Sequence, residues 1–215
     1  ISYRLVGSEM CIRDRTKDPS HAAKGSVELV IRFEQGVPVA IDDRPMNGVA
    51  LIEYLNSLAG TFGVGRIDMV ENRVVGLKSR EVYEAPAATL IHMAHTELER
   101  ICLDRPTFNY KQRVSQDYAN IIYDGKWFGP LRECLEGFIG RSQETVTGEV
   151  RIRVSAGLAR ITGRRSPYSL YDDGLATYSH GDTFDRAAAE GFLKLYGLSY
   201  ETFSRVRRKG HGKSE

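Results

Sequence analysis

The sequence predicts an α+β protein, in which helices cover a largely antiparallel sheet and a helical arm follows at the C-terminal end. Apolar residues alternate with other residues over 27–33 and again over 150–154, which is the pattern of strands with one buried face. Between these segments, apolar residues recur at helical spacing over 87–102. Hydrophobic residues make up 41% of the 215 positions and charged residues 27%, so the chain can bury a sizeable core.

The first fifteen residues are expected to lie outside the native fold. Residues 9–15, which read Glu-Met-Cys-Ile-Arg-Asp-Arg, resemble the translation of a transposon-end adapter used in sequencing libraries. A native terminus with little order is the alternative, and a targeting segment is disfavoured because no apolar core precedes a small-residue cleavage site. We expect residues 1–15 to be non-native, the coding sequence to continue upstream of Thr16, one domain over 16–184, and a helix with a basic tail over 185–215.

A hairpin and a helix are predicted after a polar linker. The first strand covers 27–33, Glu34-Gln-Gly36 forms the turn, and the second strand covers 37–41. Asn47 is expected to cap the following helix, because it precedes a helical apolar repeat that ends near Gly60.

Residues 63–86 hold more charged and polar side chains than an ordinary core segment would carry. The stretch is expected to contain a glycine-rich entry, a strand over 72–77, a polar turn and a helix that Pro86 opens. Loops between a strand and a helix often carry binding groups, so a polar ligand is predicted here. The polar residues concerned are Arg66, Asp68, Glu71, Asn72, Arg73, Lys78, Ser79, Arg80, Glu81 and Tyr83.

Three helices are predicted to follow the polar stretch. They cover 87–102, 109–123 and 131–139, and the first has a clear apolar stripe. The connection between the last two contains Trp127 and Phe128, which we expect to be packing anchors rather than a platform for ligand stacking.

The C-terminal third is predicted to contain a second strand region and the helical arm. Alternation over 146–161 indicates strands joined by a tight turn, and a loop is expected over 163–171. A last helix is predicted over 185–196, capped by Asp182-Thr183 and ended by Gly197. The basic tail beyond it is expected to be solvated and disordered rather than bound to nucleic acid or membrane.

Charge, apolar runs and cysteine spacing argue against several classes of protein. A net charge of +2 is too small to indicate nucleic-acid binding, and the apolar runs are shorter than the ~20 residues that a membrane helix requires. Cys11, Cys102 and Cys134 lack metal-ligand spacing, which indicates reduced thiols and a cytoplasmic protein. His92 and His95 lie close together without a further ligand, so no metal site is predicted. Neither a phosphate-binding glycine loop nor a serine nucleophile is recognisable.

Two motifs in the polar stretch are long enough to be specific. The first is Gly-Val-Gly-Arg-Ile-Asp-x-Val-Glu-Asn-Arg over 63–73, and the second is Lys-Ser-Arg-x-x-Tyr-Glu-Ala-Pro over 78–86. Together with further motifs, they resemble the C-terminal half of the argininosuccinate synthases over 16–206. The further motifs, in the family's order, are Gly36-Val-Pro-Val, Tyr123-x-Gly-x-Trp, Pro130-Leu, Ser166-Pro-x-Ser-Leu-Tyr and Glu190-Gly-Phe.

The resemblance implies an ATP-dependent ligase of arginine biosynthesis that joins citrulline to aspartate. In that family the ureido oxygen of citrulline attacks the α-phosphorus of ATP to give a citrullyl-adenylate and pyrophosphate, and the amine of aspartate then displaces AMP. The family's citrulline-binding glutamate and tyrosine correspond to Glu71 and Tyr83. A carboxylate suits the ammonium group of citrulline, and a phenol can donate to its carboxylate or ureido oxygen. No catalytic residue is expected in this chain.

The resemblance also implies parts that these residues do not supply. The family's ATP-binding domain lies N-terminal to the matched half, and its Ser-Gly-Gly-x-Asp-Thr-Ser loop is not found in the 215 residues. ATP with Mg²⁺ is therefore expected in the full-length enzyme and no cofactor in this chain alone, which we expect to be inactive. The family forms homotetramers in which the C-terminal arm wraps a neighbour. Residues expected to form the arm's apolar stripe are Phe184, Ala188, Phe192 and Leu195.

Simpler interpretations of the same residues stay open. Glu71 could form a surface ion pair with Arg73, worth ~0–1 kcal/mol, and Tyr83 could serve packing alone. A non-catalytic amino-acid-binding or assembly module is the alternative function, and nucleic-acid binding through the basic tail is a more distant one. Arg165 departs from the family, which has an acid in this Gly-Arg-Arg-Ser-Pro motif, so any ion pair there would be reversed. The residues expected to orient the loop or contact neighbouring subunits are Arg66, Arg73, Lys78 and Arg80.

Overall fold

The computed structural model describes residues 15–176 and 185–211. The chain divides into two compact units, Ile1–Leu170 and Tyr171–Glu215. The first unit contains an antiparallel sheet with helices against it and the second a long helix, so the predicted α+β class is confirmed. Residues 1–14 of the expected non-native segment and the predicted domain limit at 184 lie outside the described residues.

Groups of two or three strands are separated by helices along the described residues. The strands are β1 (Ser26–Glu34), β2 (Val37–Ile41), β3 (Arg44–Pro45), β4 (Arg66–Asn72), β5 (Lys78–Glu84), β6 (Gly148–Ser155) and β7 (Leu158–Arg165). The helices are α1 (Gly48–Thr61), α2 (Pro86–Cys102), α3 (Arg105–Tyr123), α4 (Pro130–Gln143), α5 (Asp173–Ala176) and α6 (Arg186–His211).

Five of the strands form one sheet in the order β3-β2-β1-β6-β7, and every neighbouring pair is antiparallel. In the pairing of β1 with β6, Leu29 lies opposite Ile152 and Ile31 lies opposite Val150. All four side chains are buried. The alternation that predicted both strands therefore corresponds to one face in the core and one face toward solvent. The predicted β1–β2 hairpin is also confirmed.

Helices α1 and α2 cover the buried face of the sheet. Leu55 of α1 and Leu98 of α2 are fully buried in the same core as the strands. Burial of a side chain of this size contributes about 1.5–3 kcal/mol. Asn47 caps α1 as predicted, because its Oδ1 accepts the N–H of Ala50 at 2.9 Å.

A separate hairpin of β4 and β5 replaces the single strand predicted over 72–77, and that prediction is wrong. Residues between Arg73 and Leu77 form the turn, which is closed by a bond of 2.8 Å from the Arg73 N–H to the Leu77 carbonyl. Val74 and Val75, which fall within the predicted strand, lie exposed at its tip. The polar residues on either side of the turn form the strands, because they pair with each other rather than with the main sheet.

Several element limits also differ from those predicted. Helix α3 begins at Arg105 rather than 109, and α4 continues to Gln143 rather than 139. Strand β7 extends to Arg165, inside the predicted loop, because it stays paired with β6 as far as Glu149. Pairing with a neighbouring strand therefore fixes this limit, and that partner cannot be read from the local sequence.

The connection between α3 and α4 is more exposed than predicted. Phe128 is 94% exposed, so the prediction that it is a packing anchor is wrong. Trp127 is about half exposed, and the guanidinium of Arg132 lies over its ring at 4.9 Å from the ring centre. This loop therefore presents aromatic surface instead of burying it.

The second unit contains the predicted arm, and the helix is longer than expected. The predicted end at Gly197 is wrong, because α6 continues through it to His211 and includes part of the tail predicted to be disordered. One glycine in a helix costs about 1 kcal/mol relative to alanine, too little to end a long helix. Asp185 caps α6 by accepting the N–H of Ala187 at 3.0 Å. The predicted cap Asp182-Thr183 and Phe184 lie outside the described residues.

The arm's apolar side chains are exposed. Phe192 and Leu195 are both largely accessible to solvent, as is Ala188. The expectation that the arm packs little within its own chain stays a prediction. Assembly with a neighbour stays a prediction. None of the described helices has both the length and the apolar character needed to cross a membrane.

Candidate functional site

The β4–β5 hairpin leaves the core at Gly65 and returns to it at Pro86. Gly65 has a φ of +104°, and a Cβ atom there would lie 2.3 Å from Cα of Pro86. Only glycine allows this close approach without a shift of the backbone. The N–H of Ala85 donates to the Gly65 carbonyl at 2.8 Å, and Pro86 is the first residue of α2, as predicted. The base of the hairpin is therefore fixed to a partly buried helix.

Arg66 ties the same base to the segment near residue 16. Its Nη2 donates to the carbonyl of Thr16 at 2.9 Å, and its Nε donates to the Thr16 hydroxyl at 3.1 Å. Glu84, which pairs with Arg66 across the two strands, accepts the N–H of Thr16 at 3.1 Å. These bonds hold the base of the hairpin from a second side.

Glu71 and Tyr83, the two predicted binding residues, lie together on one face of the hairpin. Glu71 is opposite Ser79 and Tyr83 is opposite Ile67, so the two side chains approach each other along the strands. The Tyr83 hydroxyl donates to Oε2 of Glu71 at 2.7 Å. This bond, with the nearby carboxylate charge, raises the pKa of Tyr83 to about 12, because removal of the proton would break the bond. Tyr83 is 43% exposed, so its ring is not enclosed by the surrounding side chains.

Arg73 does not pair with Glu71, so the simple ion pair considered for these two residues is wrong. Its Nη2 instead lies 2.6 Å from Oε1 of Glu81, and its Nε donates to the Ser79 hydroxyl at 2.9 Å. The hydrogen bond from Arg73 holds the pKa of Glu81 below its usual value. The hydrogen-bond partners of the Glu71 carboxylate are therefore the hydroxyl groups of tyrosines, while the charge of Arg73 acts on it only from a longer distance.

Lys78 and Arg80 also bond within the hairpin. Lys78 donates to the side-chain oxygen of Asn72, which lies opposite it. Arg80 forms an ion pair with Asp68, with Nε to Oδ1 at 2.7 Å. Both pairs lie across the two strands and stabilise the ladder that carries Glu71.

A third side chain, Tyr123, reaches the pair from the end of α3. Its hydroxyl donates to the carbonyl of Asn72 at 3.2 Å and lies 3.5 Å from Oε1 of Glu71. Burial and the nearby negative charge of Glu71 raise the pKa of Tyr123. One carboxylate oxygen of Glu71 therefore faces Tyr83, and the other faces Tyr123.

The groups at the hairpin suit binding rather than bond formation. A carboxylate accepts hydrogen bonds, and the two phenols can donate or accept. Burial raises the pKa of the Cys102 thiol, which disfavours the nucleophilic thiolate. Within residues 15–176 and 185–211, no three His, Cys, Asp or Glu side chains come together as metal ligands. The arrangement can hold a cationic or polar ligand in a defined orientation.

Comparison with known proteins identifies the family. The family described as "Arginosuccinate synthase C-terminal domain" matches residues 9–203. The chain is 54% identical to the argininosuccinate synthase of Chlorobium phaeobacteroides (strain BS1) over 192 residues, which are 89% of this chain and 48% of that relative. It is 51% identical to the synthase of Chlorobium chlorochromatii over 193 residues, 90% of this chain and 48% of the relative. The chain belongs to the argininosuccinate synthase family.

The resemblance to the C-terminal half of argininosuccinate synthases is thereby confirmed. The chain spans about half the length of the curated relatives it matches. The matched region begins at residue 9, inside the segment that the sequence alone suggested to be non-native.

Arg165, the predicted departure from the argininosuccinate synthase pattern, lies at the end of β7. Its Nη2 is 2.7 Å from Oε2 of Glu149 on β6. The basic residue therefore finds an acid on the neighbouring strand, and the pair is too exposed to stabilise the fold strongly. This position lies on the main sheet and not on the β4–β5 hairpin.

Sequence reasoning missed Tyr123 as a member of the site. Tyr123 and Glu71 are 52 positions apart, and only the folded chain brings them together. A signal was present, because Tyr123 opens one of the motifs shared with the argininosuccinate synthases. In that motif Gly125 has a φ of +70°, which allows the chain to end α3 directly after Tyr123.

Proposed function

We propose that this chain supplies Glu71 and Tyr83 to the citrulline site of an argininosuccinate synthase. This enzyme is a ligase that condenses citrulline and aspartate with ATP, releasing AMP and pyrophosphate through a citrullyl-adenylate, in arginine biosynthesis. The observation that supports the proposal is the 2.7 Å bond between Tyr83 and Glu71 on the open face of a hairpin that carries the family's motifs.

Glu71 and Tyr83 would bind and orient citrulline without forming bonds to it. The carboxylate of Glu71 can hold the substrate's ammonium group, and a hydrogen bond of this charged kind contributes about 1.5–3 kcal/mol. The hydroxyl of Tyr83, which donates to Glu71 here, can turn to the carboxylate or ureido oxygen of citrulline. Correct placement of the ureido oxygen against ATP is the main contribution that such residues can make. Arg66, Arg73, Lys78 and Arg80 would maintain the shape of the hairpin through the bonds described above.

ATP and aspartate would be bound by residues beyond these 215. Mg²⁺ would accompany the phosphates of ATP in the ATP-binding domain, as the cation does in other sites where it binds substrate phosphates. The chain by itself is then expected to release no AMP. We further propose that the enzyme is a cytoplasmic homotetramer and that the exposed apolar side chains of α6 contact a neighbouring subunit.

A chimeric enzyme tests this function. Residues 16–215 would be fused to the N-terminal portion of the Chlorobium phaeobacteroides synthase, and AMP formation from ATP, citrulline and aspartate would be measured. We expect activity from the chimera, and we expect Glu71→Gln and Tyr83→Phe each to raise the KM for citrulline at least about tenfold. The KM values for ATP and aspartate should change little, because neither variant touches those substrates.

Matched controls are available in the same chain. Glu133→Gln and Tyr110→Phe change the same atoms at exposed positions on α4 and α3, and should leave the KM for citrulline unchanged. An unchanged KM for citrulline in Glu71→Gln would refute the proposed site. A chimera that binds citrulline and forms no AMP would favour the alternative of a non-catalytic amino-acid-binding module.

A further inference from the structure

The position of Tyr123 is fixed by the helix on which it lies. Gly125 ends α3, and the N–H of Lys126 donates back to the Ile121 carbonyl at 2.9 Å. Ile121 is buried, so the last turn of the helix is held by packing as well. Tyr123 therefore approaches the hairpin from an ordered helix end.

The same helix is anchored to the core nearer its beginning. Nζ of Lys111 lies 2.7 Å from Oε1 of Glu99, a fully buried residue of α2. Val114, one turn further along α3, is buried too. The helix thus connects the core to the hairpin face, and its final residue is the one that meets Glu71.

The hydrogen bonds of Tyr123 leave its oxygen able to accept. A phenol has one proton to donate and two lone pairs. The single proton of Tyr123 can be donated to the Asn72 carbonyl at 3.2 Å or to Oε1 of Glu71 at 3.5 Å, and in either case the lone pairs of the Tyr123 oxygen stay available. Tyr83 occupies the other carboxylate oxygen at 2.7 Å. A donor that binds Oε1 of Glu71 would therefore also be within reach of the Tyr123 oxygen.

We infer that Tyr123 is a third binding residue of this site, whose oxygen accepts a hydrogen bond from the substrate ammonium that Glu71 holds. The inference rests on the proposed citrulline site. An ammonium group has several N–H donors that diverge, so one can bond the carboxylate while another bonds the phenol. Tyr123 would then favour amino acids with a free α-ammonium over analogues that lack it.

The test compares citrulline with 5-ureidopentanoate, which lacks only the α-ammonium group. In the chimeric enzyme, Tyr123→Phe should raise the KM for citrulline about tenfold, the effect of losing one hydrogen bond to a charged group. The inhibition constant of 5-ureidopentanoate should stay within about twofold, because that ligand has no donor for this oxygen. Tyr110→Phe on the same helix is the control and should change neither value.

The outcomes separate this inference from the function on which it rests. If Glu71→Gln weakens citrulline and Tyr123→Phe weakens both ligands equally or neither, the third contact is wrong while the citrulline site stands. If Glu71→Gln has no effect on citrulline, the proposed function itself fails.

A measurement on the 215-residue chain tests the geometry without any activity. Tyrosines labelled with ¹³C at Cζ would be titrated by NMR in the unmodified chain and in Glu71→Gln. Loss of the carboxylate charge should lower the pKa of both Tyr83 and Tyr123. A pKa of Tyr123 that does not respond to Glu71→Gln would overturn the inference.

Discussion

The buried ion pair between α2 and α3 gives the sharpest prediction about stability. Glu99 has 0% exposure, and its Oε1 accepts from Nζ of Lys111 at 2.7 Å and from Nε2 of Gln143 at 2.8 Å. The side chain of Lys111 is 13% exposed. We predict that Lys111→Met destabilises the protein far more than the loss of an ordinary surface ion pair.

The magnitude follows from the distance and the burial. At 2.7 Å and an effective dielectric constant of ~20, the attraction between the two charges is about 6 kcal/mol. The cost of removing both charges from water offsets most of this, but deleting one partner leaves the other uncompensated and costs about 3–5 kcal/mol. We expect a value near 3 kcal/mol, because Nε2 of Gln143 still donates to Oε1 of Glu99 in the variant.

Urea unfolding followed by circular dichroism measures this free energy, and the melting temperature should fall by about 6–12 °C. The double variant Glu99→Met with Lys111→Met should recover most of the lost stability, because no buried charge remains unpaired.

Lys126→Met is the control, since its pair with Asp124 is equally short at 2.6 Å but 68% exposed on the lysine side. Its expected cost is below about 1 kcal/mol. A loss below about 1 kcal/mol in Lys111→Met, or a double variant as unstable as the two single losses combined, would refute the reasoning.

Two further predictions concern His95 and Gly65. Burial lowers the pKa of His95, so the unfolded chain binds a proton before the folded chain does. The free energy of unfolding should therefore fall as the pH drops below about 6.5, and His95→Gln should remove that part of the pH dependence in urea titrations from pH 8 to 5. Gly65→Ala should cost at least about 2 kcal/mol, because its Cβ would meet the Pro86 backbone. Gly76→Ala is its match, with φ +83° and no atom within 4 Å, and equal melting temperatures for the two variants would show that the close approach at Gly65 is unimportant.

The parts of the fold that were predictable are those where one face of an element meets the core. Strands β1 and β6 alternate because their inner residues pack on α1 and α2, and the same packing gives α2 its apolar stripe. The β4–β5 hairpin has no such face. Its strands carry polar residues on both sides, and the predicted strand fell on the turn that contains two exposed valines. The local sequence pattern alone therefore placed the strand at the wrong residues.

The residues of the candidate site could not be predicted from local hydrophobic patterns. Glu71 and Tyr83 came from motifs shared with a family, and their contact follows from a register that the sequence pattern did not indicate. Tyr123 comes from the far end of a 19-residue helix, and no local pattern connects it with Glu71. The end of helix α6 was predicted wrongly for a different reason. Gly197 was taken as the end of the helix, although the helix-forming residues around it continue the helix to His211.

The separation of the hairpin from the main sheet has a consequence for hydrogen exchange. A two-stranded hairpin is only marginally stable by itself, so the amides of β4 and β5 should exchange through local opening of the hairpin. The amides of β1 and β6, which lie in the five-stranded sheet, should exchange only on global unfolding. A ligand that bridges Glu71 and Tyr83 would bind only the closed hairpin and protect its amides in proportion to occupancy. Ligand binding would then be measurable as slower hydrogen exchange of a few backbone amides, even where no reaction takes place.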